Sequence, residues 1–305
     1  MKRCLSCGEK LYGDAEMHLP CNKRVYDTEY VPDLDISLDD ISMEPDRSME
    51  NFSISNIQTA VPLVFQRRQK KLELGTAGKY DYILKLPVFT IPALTQNQNL
   101  CMTIAGRIGV PVPAHSLIPL GPSDHACIVK RYDTVDGRKK RVKTFDRILE
   151  KEDIHSGSLE EIGEKILRTS EIPGLDVQFF FEMVLLSFLI GHSDLHFKKF
   201  AVLYDDTREV RLAPMEDLVS TKMFRPDEAD FSIPMMGKTE NITGSDFKAF
   251  SGHLRIPAKS YERIFLRYFK GKRLIGNRLK HSVLETDDRI KFSDITNDRF
   301  KRLLL

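Results

Sequence analysis

Asp176-Val-Gln-Phe-Phe-Phe-Glu-Met-Val-Leu-Leu-Ser-Phe-Leu-Ile190, followed at once by Gly191-His-Ser-Asp194-Leu-His196-Phe-Lys198-Lys199-Phe200, is the stretch on which the fold turns. Its first half is apolar nearly all round, which predicts a helix buried on every side at the centre of a lobe. Gly191 ends it. The run Val177 to Gly191 is 15 residues long and carries Gln178 and Glu182, which is short of the roughly 20 apolar residues that span a bilayer. The second half changes character abruptly, with an aspartate just past the helix end and a histidine two residues on. Polar residues on a loop held by a rigid apolar element are a common way to build a catalytic loop. An exposed turn between a helix and a hairpin fits the same residues.

Downstream, Val202-Leu-Tyr204 and Val210-Arg-Leu212 flank Asp205-Asp-Thr-Arg208 and predict a hairpin. Ala213-Pro214-Met215-Glu216-Asp217-Leu218 then sets a second aspartate about twenty residues beyond the first. Such a pair suits phosphoryl transfer, one carboxylate accepting the proton of an attacking hydroxyl and the other holding Mg²⁺. Two loop carboxylates with no joint role are the plainer alternative.

Upstream, Ser158-Leu-Glu-Glu161 reads as a capping box opening a helix through Arg168. Between 51 and 133 strand signals dominate, in Val61–Phe65, Tyr80–Lys85 and Ala126–Lys130. One helix interrupts them, from Gln96 to a capping Gly109, and Pro111 and Pro113 stop it. After Pro257 two or three helices complete the chain. Lys85 stands inside an apolar strand, where it is either a paired charge facing a cleft or an edge lysine that deters aggregation. The layout is α+β and two-lobed, strand-rich then helical, with a cleft suited to a ligand. Four regions follow: 1–26, Cys/His-bearing; 27–50, an acidic linker; 51–133, a β-rich lobe; and 134–305, a helical lobe.

The 305 residues are 41% hydrophobic and 30% charged, which excludes a disordered chain. Net charge is +2, unevenly spread: residues 1–50 hold 6 Lys/Arg against 12 Asp/Glu, and residues 251–305 hold 14 against 6. A basic end suits an acidic partner or nucleic acid, although solvated helix faces account for it more simply. Five cysteines and a first segment without the apolar core of a signal peptide point to a reducing cytoplasm and away from a disulfide framework. Cys4-x2-Cys7-x10-His18-x2-Cys21 offers three thiolates and an imidazole in two close pairs, a donor set for tetrahedral Zn²⁺. Unpaired cytosolic cysteines are the alternative. Cys101 and Cys127 read as small core residues. Separation along the chain predicts that loss of this site lowers stability and leaves the distant Lys85, Asp194 and Asp217 working.

Taken in order, Ser53-Ile-Ser55-Asn56-Ile57-Gln58, Lys85, Val129-Lys130-Arg131-Tyr132-Asp133, Asp194-x-His196-x-Lys198, Leu212-Ala-Pro-x-x-Asp217-Leu-Val-Ser-Thr221 and Phe231 to Phe247 resemble the HipA family. These are bacterial serine/threonine kinases that act as toxins of toxin–antitoxin modules. The resemblance runs from about residue 50 to 260. With most of the extra N-terminal subdomain missing and two serines one apart, the chain looks most like the short HipT type. The resemblance implies a two-lobed kinase fold, ATP with Mg²⁺ on Asp217, Asp194 as catalytic aspartate, His196 orienting the loop beside Lys198, and Lys85 on the ATP phosphates. It further implies ATP contacts from Lys130, Tyr132, Asn56 and Gln58, and autophosphorylation on a phosphate loop at Ser53 and Ser55. The implied partners are a HipB-like DNA-binding antitoxin, a small HipS-like protein and an aminoacyl-tRNA synthetase as substrate.

Three positions depart from that pattern. Lys199 stands where the family has a metal-binding asparagine, and an ammonium cannot coordinate a cation. Gln98 replaces the helix glutamate that partners the strand lysine, and Asn56 replaces a glycine. They keep open a pseudokinase that holds ATP or a partner without transferring phosphate.

Overall fold

The computed structural model describes residues 2–36, 58–76, 79–121, 124–135, 138–204 and 209–305. A Cys/His loop and a short helix, α1 (Leu19–Tyr26), lead into strand β1 (Asp33–Leu34). Next come β2 (Ala60–Gln66), β3 (Lys71–Leu74), β4 (Tyr82–Lys85), helix α2 (Leu94–Ile108), β5 (His115–Pro119) and β6 (His125–Lys130). These six strands form one sheet in the order β1-β3-β2-β4-β6-β5, antiparallel except where β1 runs parallel to β3. Asp33 and Leu34, within the stretch expected to be an acidic linker, therefore pair with Lys71 and Leu72.

Strand periodicity decides what each sheet face does. Tyr82 and Leu84 of β4 join Ile128 of β6, Val25 and Tyr26 in a cluster under the N-terminal segment. The alternate residues face the other way. Lys85 sits opposite Cys127 in register, and Cys127 and Val129 belong to the larger core around α2. Strand β5 escaped the sequence reading because prolines bracket it, but an edge strand tolerates Pro119 at its end. Its exposed edge is covered: Leu117 N donates to Leu5 O at 3.0 Å, so the N-terminal segment shields a row of unpaired backbone groups.

The second lobe begins with a small hairpin, β7 (Thr134–Val135) and β8 (Arg138–Lys139), then β9 (Arg141–Thr144) and a helical turn, α3 (Phe145–Ile148). Helices α4 (Leu159–Thr169) and α5 (Pro173–Ile190) precede the hairpin β10 (Ala201–Tyr204) and β11 (Val210–Leu212). Helices α6 (Gly244–His253), α7 (Ala258–Lys280) and α8 (Thr286–Arg302) finish the chain. The capping box at Ser158 and Glu161 forms as expected. Strand β9 pairs with β10 and makes the expected hairpin three-stranded. Its residues, Arg-Val-Lys-Thr, offer one apolar side chain, too few to announce a strand.

Helix α5 is 18 residues long and starts three residues earlier than expected, with a proline in its first turn. Among the described helices it alone is long and apolar enough to cross a membrane. Here it is the core of the lobe. Phe180 meets the Phe200 ring at 5.0 Å, and Phe188 meets Phe247 at 5.3 Å, both edge-on. Asp176, buried in its first turn, accepts from Arg211, from Leu212 N at 2.8 Å and from Ser170 Oγ at 2.7 Å. A carboxylate is favoured at a helix start, and this one ties β11 to α5.

Gly191 closes α5 in left-handed backbone at φ 70°, where an added Cβ would lie 2.7 Å from Ile295 Cγ2 and 3.0 Å from Lys222 Cβ. Gly191→Ala should therefore cost more than the 1–2 kcal/mol, roughly, of left-handed backbone alone. Urea unfolding should show a lower midpoint than wild type; an unchanged midpoint would contradict this account of the turn.

Candidate active site

The loop leaving α5 is held by backbone contacts on both sides. His192 Nδ1 lies 2.9 Å from Val219 O, and Ser193 N donates to Thr221 Oγ1 at 2.8 Å. Burial, reinforced by the Lys199 charge, pushes the His192 pKa down to about 4, so the ring is neutral and donates from Nδ1. Asp194 follows, with its carboxylate 3.6 Å from His196 Nε2 and 3.5 Å from Lys199 Nζ. Lys198 N donates to His196 Nδ1 at 3.3 Å. That bond puts the ring proton on Nε2, facing Asp194, and burial with Lys199 nearby pushes the pKa to about 3. A neutral imidazole oriented in this way steadies the aspartate without competing for its proton. The Lys198 side chain is exposed, whereas that of Lys199 is buried.

Asp217 approaches from the facing loop. Its backbone is left-handed at φ 60°, uncommon for a residue with a Cβ and characteristic of functional positions. Lys85, from the cleft face of β4, forms an ion pair with Asp217 Oδ1, and Gln98 Nε2 of α2 donates to the same oxygen at 3.2 Å. Burial lowers the Lys85 pKa to about 8, with Glu216 acting against that shift. Contact with Asp217 also opposes it, so the ammonium stays charged at neutral pH. One residue before Gln98, Asn97 Oδ1 accepts from Ser220 N at 2.8 Å. The N-terminal half of α2 thus grips the Asp217 loop twice.

A narrow cavity brings together Gln58, Gln98, His192, Asp194, Lys199, Asp217, Val219 and Thr221. Gln98 Oε1 and His192 Nε2 are buried without a partner among the described residues. Orphaned polar atoms in a polar cavity mark a place for a polar guest. Gln58 Nε2 donates to Leu86 O at 3.0 Å, next to the strand end that carries Lys85. The expected residues Lys85, Gln58, Asp194, Lys199 and Asp217 therefore meet at one place.

Others do not. The Lys130 ammonium bonds both oxygens of Asp27 at 2.7 Å on the far face of the sheet, away from the cleft. Tyr132 is half-buried, and burial with Glu216 nearby raises its phenol well above the usual range. Ser53, Ser55 and Asn56 lie outside the described residues. Asn97, Thr221 and Glu216 were missed as site residues. The run Gln96-Asn-Gln-Asn99 was a usable signal, because consecutive amides at the start of an otherwise apolar helix need partners.

The N-terminal cluster is a separate constellation. The Cys4, Cys7, His18 and Cys21 ligand atoms all lie within 4.8 Å of one another, so the set can hold a metal ion. His18 Nε2 is 3.0 Å from Lys10 O, a contact that orients the ring so that Nδ1 faces Cys7 Sγ at 3.4 Å. This loop is bolted to the rest of the chain. Asn99 Nδ2 donates to Leu5 O at 3.3 Å, Thr103 Oγ1 to Ser6 O at 3.1 Å, and Arg278 of α7 to Cys7 O at 3.0 Å.

Comparison with known proteins bears on the fold and the family. The fold is similar to HipA of Shewanella oneidensis MR-1, seen in a toxin–antitoxin complex with HipB and operator DNA, at a TM-score of 0.67 and 17% identity over 87% of this chain and 69% of that one. It is also similar to the Helicobacter pylori proinflammatory kinase CtkA, at a TM-score of 0.53 and 15% identity over 76% of this chain and 88% of that one. In sequence, the chain is 29% identical over 210 residues to the Sinorhizobium fredii protein named "Putative kinase Y4mE", covering 64% of this chain and 48% of that relative. It spans about half the length of that relative. The two-lobed α+β architecture is thus the HipA-like kinase fold. The HipA-like C-terminal domain profile matches residues 63–271, from strand β2 through the cleft and into α7, and the chain belongs to that family.

Proposed function

We propose that this chain is an ATP-dependent serine/threonine protein kinase of the toxin–antitoxin kind. The observation that carries the reading is the convergence of Lys85, Asp194 and Asp217 on one cleft between a β-rich and a helical lobe. Asp194 accepts the proton of a substrate hydroxyl as its oxygen bonds to the γ-phosphorus of ATP, and the bond to the bridging oxygen breaks to release ADP. Lys85 exchanges its contact with Asp217 for the nucleotide phosphates. Magnesium, when bound, supplies neutralising charge on those phosphates; Asp217 is the residue to hold it, since Mg²⁺ usually takes one or two carboxylates and completes its shell with phosphate and water. Ser53 and Ser55 are the proposed autophosphorylation sites. Names of relatives and the HipB complex of the Shewanella protein support a kinase paired with a HipB-like antitoxin in the cytoplasm. The family resemblance supports an aminoacyl-tRNA synthetase as substrate and a small HipS-like protein as a further partner.

Purified protein with ATP and Mg²⁺ should incorporate phosphate on serine, and Asp194→Asn should lose at least about a hundredfold in rate while remaining folded by circular dichroism at the assay temperature. Phosphate-free wild type that still binds ATP would favour the pseudokinase, the reading that Lys199 and Gln98 keep alive.

The Cys/His cluster is the proposed seat of one structural Zn²⁺, since three thiolates and one imidazole form a closed tetrahedral set. The bonds from Asn99 and Thr103 change what its loss should do. Because the loop carbonyls hold the helix whose Gln98 steadies Asp217, kinase rate should fall along with stability, contrary to the independence expected from sequence separation. Elemental analysis should find one zinc per chain, and Cys4→Ser with Cys7→Ser should remove it, lower the melting temperature and slow phosphate transfer. Zinc-free wild-type protein with the same melting temperature would refute the site.

A further inference from the structure

We propose that the Lys199 ammonium takes the place of a second divalent cation, so that the cleft binds nucleotide with a single Mg²⁺ and Lys199 provides the other positive charge on the transferring phosphoryl group. This rests on the kinase reading and adds to it a metal count and a phosphate ligand.

Protein kinases that use two Mg²⁺ place an aspartate on one loop and, on the catalytic loop five residues past the catalytic aspartate, an asparagine whose oxygen takes the second ion. Five residues past Asp194 is Lys199. Its side chain is only 4% exposed, its Nζ stands 3.5 Å from Asp194 Oδ2, and it lines the same narrow cavity as Asp217. The surrounding turn is set by backbone bonds, with Lys199 N donating to His196 O at 2.9 Å. The ammonium is therefore directed inward by the fold and is not a surface lysine folded over by chance.

An ammonium has no lone pair to give a metal and repels one strongly at short range. Mg²⁺ needs oxygen ligands at about 2.0–2.1 Å in octahedral array, and a cationic side chain in that space excludes it. The same charge is well suited to phosphate, which lysine binds as a point charge. Charges in the cleft agree with one added metal. Lys85 is already engaged with Asp217 and Lys199 faces Asp194, the Arg131–Asp133 pair is satisfied internally, and Glu216, whose carboxyl burial pushes up, adds a further carboxyl near both lysines. When a phosphoryl group enters, Lys199 lies next to the carboxylate that receives the hydroxyl proton, which is where negative charge builds on the transferring group. Lys199 acts there as a ligand to substrate, with no proton transfer of its own.

The test counts metal directly. The purified protein is titrated with Mn²⁺ at saturating non-hydrolysable ATP analogue, and bound Mn²⁺ is read by electron paramagnetic resonance. Wild type should hold one Mn²⁺ per chain. Lys199→Asn should hold two, and Lys199→Met should hold one while binding the analogue about tenfold more weakly. Two Mn²⁺ on wild type would overturn the proposal while leaving the kinase reading intact. So would a Lys199→Met variant that binds the analogue as tightly as wild type. Failure of wild type to bind the analogue at all would bring down both. The wild-type count needs no variant to fold.

Discussion

Asp217 holds a backbone conformation that costs an L-residue about 1–2 kcal/mol, and its contacts explain why the cost is borne. Lys85 reaches it from the sheet, Gln98 from α2, and the carboxylate itself belongs to the helical lobe. One side chain thus fastens three elements that are far apart in the chain. A fully buried pair loses several kcal/mol when one partner is removed, but Asp217 is 27% exposed and solvent lessens that figure. The pair is better understood as a positional lock. Each charge satisfies the other in this structure.

Helix α2 is the second half of that lock. Its first two turns carry amides where an apolar stripe would be expected, and three of them go to different neighbours: Asn97 to Ser220 N, Gln98 to Asp217, Asn99 to Leu5 O. A glutamate at position 98 would pair with Lys85 by charge. The neutral amide instead supports the carboxylate that Lys85 already holds. The helix consequently touches both the N-terminal loop and the Asp217 loop through neutral amides.

Periodicity made much of this visible in advance. Helix α5 was recognisable because its apolar side chains leave no polar face, and Gly191 because only a left-handed turn ends so crowded a helix. Lys85 stood out as a charge in an apolar strand, and Asp194 and Asp217 as carboxylates placed beside rigid elements. What stayed hidden depends on contacts between distant segments. Strand β5 is bracketed by prolines and becomes a strand through its neighbours β6 and Leu5. The outward turn of Lys130 follows from strand register, which no motif reports. Nor does spacing reveal that the cysteine loop touches α2, because the bonds run through backbone carbonyls that any residue would supply.

Those carbonyl bonds also order events in time. Leu5, Ser6 and Cys7 come well before their partners in the chain, which lie at Asn99, Thr103, Leu117 and Arg278, the last of these 271 residues after Cys7. Chains fold N-terminal part first during synthesis, but contacts this distant in sequence must wait for the partner and bear the entropy of closing a long loop. The Cys/His loop can close locally at an early stage, as a small prefabricated piece. Its bonds to α2 and β5 can form before α7 is made, and Arg278 adds to them last. The bond from Arg278 to Cys7 O is therefore the last of these to become available, after Lys85, Asp194 and Asp217 have all been translated.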